Sequence, residues 1–348
     1  MFSMQASDIA MRTRASARSE IVRRLSDARV TRRGIQIALG IIWLIDGVLQ
    51  FQTYMYSHAF VSTVLEGAAS GQPSFIGDPI MTLARFYGHD PALWNTLAAE
   101  VQCLIGLGLI VSKRTVRPAL FVSFFWGFIV WWFGEGFGPI VNGSPVSPLM
   151  GAPGAVLIYG LIGALVWPRN TAEEKPVGEE KHVVDGGLFG RHGGRAVWTL
   201  LWLEAGALWF LKVNDSKTAI HDQIAGMASG SPSWLAGALN PVANSAQGHG
   251  VVVATILGVA SILIALAVWA PTRPVAFGAL ALGAALSLAY WIFGQSLGGP
   301  FWAGSATDVN AGPLFVLLAV TVAAQPSGAV AAVRSAVSAR SDQKVATA

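Results

Sequence analysis

The stretch Trp132-Phe133-Gly134-Glu135-Gly136-Phe137-Gly138-Pro139 has an echo further along the chain. Trp291-Ile292-Phe293-Gly294-Gln295-Ser296-Leu297-Gly298-Gly299-Pro300 keeps its aromatic, Phe-Gly and Gly-Pro skeleton. Self-similarity at a long separation marks a duplicated structural unit. Working outward, the order of matches is preserved. Glu66-Gly67-Ala68-Ala69-Ser70-Gly71-Gln72-Pro73-Ser74-Phe75 pairs with Ala225-Gly226-Met227-Ala228-Ser229-Gly230-Ser231-Pro232-Ser233-Trp234, and Arg117-Pro118 pairs with Arg273-Pro274. A functional account therefore has to explain two copies and the polar residues on which they differ.

Composition sets the solvent. Of 348 residues, 53% are hydrophobic and 12% charged, against roughly 25% charged in a soluble domain. Apolar runs at 34–54, 91–111, 118–133 and 153–167 come near the roughly 20 residues that cross a bilayer. A second set follows at 196–211, 250–270, 274–293 and 312–324, the last short enough to require tilt or local thinning. The expected fold is all-α: a polytopic membrane protein with eight transmembrane helices in two parallel four-helix repeats. The expected divisions are a basic cytoplasmic arm (1–33), a first repeat (34–168), a cytoplasmic linker (169–195), a second repeat (196–326) and a cytoplasmic tail (327–348).

Basic residues give the orientation, because Lys and Arg near span ends stay preferentially cytoplasmic. Eight arginines between Arg12 and Arg33 precede the first span. Lys113, Arg114, Arg117 and Arg273 fall in hairpins, Lys175, Lys181, Arg191 and Arg195 in the linker, and Arg334, Arg340 and Lys344 in the tail. All lie on one side of an eight-span arrangement; Arg85, Lys212 and Lys217 lie on the other. Both termini are thus expected in the cytoplasm of a bacterial cell, with the chain integral to its plasma membrane. The net charge of +4 follows from topology and attraction to anionic lipid, and nucleic acid is not an expected partner.

An even number of spans per copy sets the two copies in the same orientation, about an axis along the membrane normal. The long outer connections at 58–90 and 214–248 contain apolar residues at helical spacing, such as Phe60, Val61, Val64, Leu65 and Ile220, Ile224, Met227. They read as interfacial helices. The Gly/Pro-rich passages 134–154 and 294–312 form extended outer loops, and irregular backbone of this kind is tolerated at membrane depth only under protein cover or beside water. Two such loops facing one axis are expected to form a vestibule.

Several acidic residues are candidates for that vestibule or for the spans. Glu135 follows the third span and is answered by Gln295; it either serves a site or sits in interface water. Asp308-Val309-Asn310 offers oxygens to a cation and equally suits an Asx turn. Asp46 and Glu204 follow Trp43 and Trp202 at places that differ by one residue, and Glu100 has no acidic counterpart. A carboxyl within a span relays protons, binds a cation, hydrogen-bonds a quinone carbonyl or joins two helices. Glu100 is the leading proton-active candidate.

The inventory excludes several machines. One cysteine, Cys103, rules out an intrachain dithiol relay, a Cys-x-x-Cys zinc site or a cysteine-held iron-sulfur cluster. His58, His89, His221 and His249 fall at or beyond the span ends. That suits neither paired haems nor any specific metal spacing, although copper remains open with Met55 or Met81. No nucleotide loop or nucleophile motif is present. The tryptophans at the outer span ends form an expected aromatic belt.

Trp43-Leu44-Ile45-Asp46-Gly47-Val48-Leu49-Gln50 resembles the first span of the DoxX/DoxD-like superfamily of compact four-helix membrane proteins. Glu100-Val101-Gln102-Cys103-Leu104-Ile105-Gly106-Leu107-Gly108-Leu109, followed by Lys113-Arg114, is similar to its second-span acidic and Gly-Leu signature. The likeness covers most of the first copy and, more faintly, the second. It implies a redox-associated membrane subunit, with quinone or another small molecule as the expected ligand between the repeats. Duplication, the outer loops and the loss of Glu100 in the second copy depart from the simple pattern. The other expectation is a transporter, scaffold or accessory subunit that binds lipid, a solute, or a membrane or outer-face protein partner.

Overall fold

The computed structural model describes residues 30–138, 147–168, 184–190, 192–299 and 304–325. Most of the basic arm, the acidic centre of the linker, the tail, and loop residues Asn142 and Ser144 lie outside them. The described residues form twelve helices and no strand. Those of the first copy are α1 (Arg32–Leu49), a kinked α2 (His58–Phe60 and Glu66–Ala69 around a π-type turn, Val61–Leu65), α3 (Ser74–Gly88), α4 (Pro91–Val111), α5 (Val116–Phe133) and α6 (Ala155–Leu165). The second copy follows the same order: α7 (Gly193–Trp209), α8 (Ala219–Ser229), α9 (Ser233–Ala246), α10 (Gly250–Ala267), α11 (Arg273–Phe293) and α12 (Ala311–Ala323).

Local chemistry sets the helix starts. The Thr31 hydroxyl accepts from the Gly34 N–H at 3.0 Å to open α1, and the Asp90 carboxylate accepts from Leu93 N–H at 3.0 Å before a proline at the first position of α4. Pro73 and Pro232 enter α3 and α9 with nearly the same backbone angles (φ −55°, ψ 147° and φ −56°, ψ 153°). The outer connections are therefore helical in both copies, α2–α3 and α8–α9.

Packing repeats as well. α1 lies on α4, α4 on α5 and α5 on α6; α7 lies on α10, α10 on α11 and α11 on α12. Between copies, α6 meets α12, and each also touches the first helix of both copies, α1 and α7. Such reciprocity is what a twofold relation between copies produces. The main apolar cluster runs through both, from Trp43 and Tyr159 to Trp198, Trp202 and Phe315. The last residues before α7 tie down the opposite end of the bundle: Val184 N–H donates to Ala324 O at 3.1 Å and Asp185 pairs with Arg32.

Four helices, α4, α5, α10 and α11, are long and apolar enough to cross a membrane. The runs expected at 153–167 and 312–324 fold into shorter helices of 11 and 13 residues, about 16 and 20 Å long at 1.5 Å per residue, against about 30 Å of hydrocarbon. Both are buried on most sides, so α6 and α12 form the centre of the bundle. α1 carries Arg32, Arg33 and Asp46, and α7 has only 17 residues.

Small residues let α1 and α4 approach. A Cβ on Gly47 would stand 2.6 Å from Cys103 Sγ, and one on Gly106 would stand 2.7 Å from Gly40 O. Gly106→Leu is expected to cost about 1–3 kcal/mol by overpacking and to lower the unfolding midpoint in detergent. Gly226→Ala, inside α8 where a methyl meets nothing within 4 Å, serves as the control and should hold or raise the midpoint, since Ala favours a helix interior over Gly by up to about 1 kcal/mol.

Candidate functional site

Between α1, α4, α5 and α6, and under the α2–α3 hairpin, lies a cavity of about 340 Å³. Most of its wall is apolar and aromatic, with Trp43, Trp94, Trp126 and Tyr87 among the lining residues. None of those residues is Lys, Arg or His. Three carboxyls reach it: Asp46 from α1, Glu135 from the turn after α5, and Asp308 from the loop before α12. The last belongs to the other copy. The expected vestibule between the copies is thus corrected to a chamber inside the first copy, completed by one loop of the second.

That loop is held by α1. Gln50 Nε2 donates to Thr307 O at 2.7 Å and Gln52 Nε2 to Ala306 O at 2.8 Å, while Val309 N–H donates to Asp46 Oδ1 at 3.1 Å. The other Asp46 oxygen accepts from the Tyr159 hydroxyl of α6. Asp308 is satisfied locally by Thr307 Oγ1 at 2.9 Å and Asn310 N–H at 2.6 Å, which is an Asx turn. Asn310 then caps α12 by accepting from Ala311 N–H at 2.8 Å. Of the two readings of Asp308-Val309-Asn310, the turn is the one the backbone adopts.

Glu135 sits differently. It lies deep among protein atoms but opens on the cavity; Oε1 accepts weakly from Val156 N–H at 3.4 Å and Oε2 has no partner among the described residues. Burial, with a smaller contribution from the Asp308 charge, pushes its carboxyl up to about 8. Asp308 is also raised by burial, against its two hydrogen bonds. The turn that aims Glu135 depends on Gly136, at φ +53°, whose added Cβ would meet Ala68 O at 2.6 Å. Its carbonyl accepts from Gln72 Nε2 at 2.9 Å.

The second copy shows what becomes of the same site with different side chains. Trp131 Nε1 donates to Pro153 O and Trp291 Nε1 to Val309 O, which registers the two copies. Trp43 packs on Tyr159 with ring centroids 4.6 Å apart; Trp202 packs on Phe315 at 5.8 Å. In this register Asp46, Tyr159, Glu135 and Asp308 face Ala205, Phe315, Gln295 and Ala152. The corresponding space, lined by those four residues among others, is about 10 Å³, room for one water at most.

The remaining candidates disperse. Asp46 and Glu204 are not equivalent, since Ala205 holds the place of Asp46; Glu204 is half-buried and does not line the cavity. Glu100 stands apart from the chamber: Leu97, Ala98 and Val101 line the cavity, but the Glu100 side chain is exposed on the outer surface of α4. Gln295 Nε2 donates to Leu149 O at 3.3 Å, within the first copy's loop. His221 pairs with Asp222 at 2.9 Å, His249 Nδ1 lies 3.0 Å from Gln247 O, and His89 and His58 are both exposed. No group of three or more His, Cys, Asp or Glu among the described residues is placed to hold a metal ion.

Sequence reasoning missed Tyr159, Gln102 and the aromatic wall. Tyr159 has a signal, its replacement by Phe315 in an otherwise apolar helix. The indole N–H groups of Trp43 and Trp126 and the Gln102 Oε1 are buried at this wall with no partner among the described residues. Compared with protein-family models, curated proteins and solved structures, the chain matches none.

Two outcomes follow from this geometry. Because the folded Glu135 binds its proton more tightly than the unfolded side chain, the native state holds more protons between pH about 4.5 and 8. Stability then falls as pH rises through that window, and Glu135→Gln should flatten the dependence in thermal unfolding from pH 5 to 9. Asp46→Ala and Tyr159→Phe each strand a buried polar partner and should cost about 1–3 kcal/mol. Together, recreating the second copy's pair, they should cost less than their sum in a double-mutant cycle.

Proposed function

We propose that the chain is an integral protein of a bacterial plasma membrane, with eight spans in two parallel four-helix copies and both termini cytoplasmic. In this reading it is a redox-associated subunit whose first copy binds an amphipathic, carbonyl-bearing molecule, a quinone, in its cavity. The carrying observation is the pair of buried indole N–H donors, Trp43 and Trp126, left without acceptors among the described residues at the apolar and aromatic part of the chamber wall. A buried donor without a partner costs about 1–3 kcal/mol, which a bound acceptor returns. The chamber falls near the lower end of the usual range for ligand pockets, roughly 300 to 1,000 Å³.

The residues present fit such a group. Asp46 and Asp308 have their acceptors satisfied by Tyr159, Thr307 and backbone N–H groups, so neither calls for a metal or an ammonium group. Glu135, whose carboxyl burial pushes up to about 8, lines the same chamber, with Oε2 buried and without a partner among the described residues. Trp43 and Trp126 would hold a carbonyl oxygen, and the aromatic wall would exclude water from the ring. A quinone supplies two-electron, two-proton carbonyl chemistry when bound. The Tyr159–Asp46 hydrogen bond and Glu135 would hold protons at the chamber's end. The resemblance of the first and second spans to DoxX/DoxD-like proteins supports the same reading, although its acidic residue, Glu100, stands outside the chamber.

Calorimetric titration of the full chain in nanodiscs with a short-chain ubiquinone provides the test. Saturable binding is expected, weakened about tenfold in Trp43→Phe, the equivalent of about 1.4 kcal/mol for one lost hydrogen bond. Absence of saturable heat, or an affinity unchanged from that of the parent chain in both the Trp43→Phe and Trp126→Phe variants, would refute the assignment.

A further inference from the structure

The outer surface of α4 carries a regular seam: Leu93, Leu97 at the edge where it also borders the cavity, Glu100, Leu104, Leu107 and Val111 are all exposed. Their spacing alternates four and three residues, the repeat that lets one helix pack along another. The chain contains its own control for this surface. Gly47 faces Cys103 as Gly206 faces Ile262, which sets Val259 of α10 in the place of Glu100. The matching face of α10 is Val252, Ile256, Val259, Leu263 and Leu266, all exposed and all apolar. A face covered only by lipid needs no more than that. The α4 face differs by one carboxyl.

Glu100 is the tenth of the 21 residues of α4, so about 14 Å of helix separates it from the start and about 16 Å from the end. In the spanning arrangement proposed above, on which this step rests, that is the middle of the bilayer. An acidic side chain there costs about 2.5–3.5 kcal/mol on insertion scales, and such residues almost always face protein or water. Yet Glu100 is exposed, has no partner among the described residues and does not line the cavity. A long Lys or Arg would snorkel to the interface; a glutamate at mid-helix is too short to do so.

We propose that the α4 seam centred on Glu100 docks a transmembrane helix of another protein, one that carries a basic side chain at the same depth. Charge complementarity favours this occupant over a second copy, because a symmetric pairing of two α4 seams would set carboxyl against carboxyl. Leucines on either side of Glu100 supply the packing, and the ion pair sets the register. The α10 face stays toward lipid.

Photo-crosslinking of the full chain in native membranes tests this, with a benzophenone side chain at Leu104 and, as control, at its counterpart Leu263. Leu104 should yield an adduct whose crosslinked peptide is an apolar span bearing Lys, Arg or His, while Leu263 yields lipid adducts. Glu100→Lys should reduce the protein adduct at least tenfold, and reversing the captured basic residue to Glu should restore it. An adduct only with a second copy, or only with lipid at Leu104, overturns the docking while leaving the span intact. Reaction with water alone at both positions overturns the spanning arrangement too. Quinone titration of the Glu100→Lys variant keeps the cavity assignment separate, since its affinity should not change.

Discussion

One carboxyl, Asp46, joins three parts of the molecule. One oxygen takes the Tyr159 hydroxyl of α6 and the other takes the Val309 N–H, at the point where the second copy's loop turns into α12. A buried carboxyl is tolerable only when its acceptor sites are filled. Here, filling them requires α1, α6 and a loop far along the chain to meet in one arrangement. Gln50 and Gln52 extend the grip along the same loop, and Asn95 Nδ2 secures the end of α1 by donating to Gln50 O at 2.7 Å. The cavity is the space this polar fastening leaves beside it.

The two copies share a frame and differ in contents. Backbone features recur: the paired prolines before α3 and α9, the tryptophan N–H to loop carbonyl bonds, and the turns in which the N–H groups of Gly134 and Glu135 both reach Val130 O while those of Gly294 and Gln295 both reach Tyr290 O. These are what a helix-and-loop scaffold requires. The polar quartet around the cavity has no such duty in the frame, and there the copies diverge. Where Ala205 and Phe315 replace Asp46 and Tyr159, apolar packing closes the space. The chamber persists where buried polar groups hold it open.

Much of the frame was legible because it follows from hydrophobic runs and repeated short motifs. The run at 91–111 is α4 to the residue, and the match around Ser70–Ser74 and Ser229–Ser233 marks the two hairpin turns. Span ends were less legible: the limits of α6 and α12 are set by Gly154 and Asn310 caps, not by where apolar residues begin. Of the site, Glu135 and Asp308 could be read from loop chemistry, and the structure brings them to one chamber. Asp46 could be read as a carboxyl in a span. Its separation from Glu204 could be read as well, since an offset of one residue turns a side chain by about 100° around a helix. Glu100 was recognisable as costly, whereas the side it faces follows only from how α4 packs.

The loan of Asp308 across the copies has a consequence for how such a chain arises. In a symmetric dimer of separate four-helix chains, each would lend its loop to the other, and two identical chambers would result. Any change that closed one would close both, because a single gene would encode them. Covalent joining of the copies removes that constraint. The second chamber is then free to fill with Ala205 and Phe315, which strengthens the centre of the bundle, while its loop remains bound to serve the first. Covalent joining thus permits one open chamber among the described residues, completed by a loop of the half whose own corresponding space is closed.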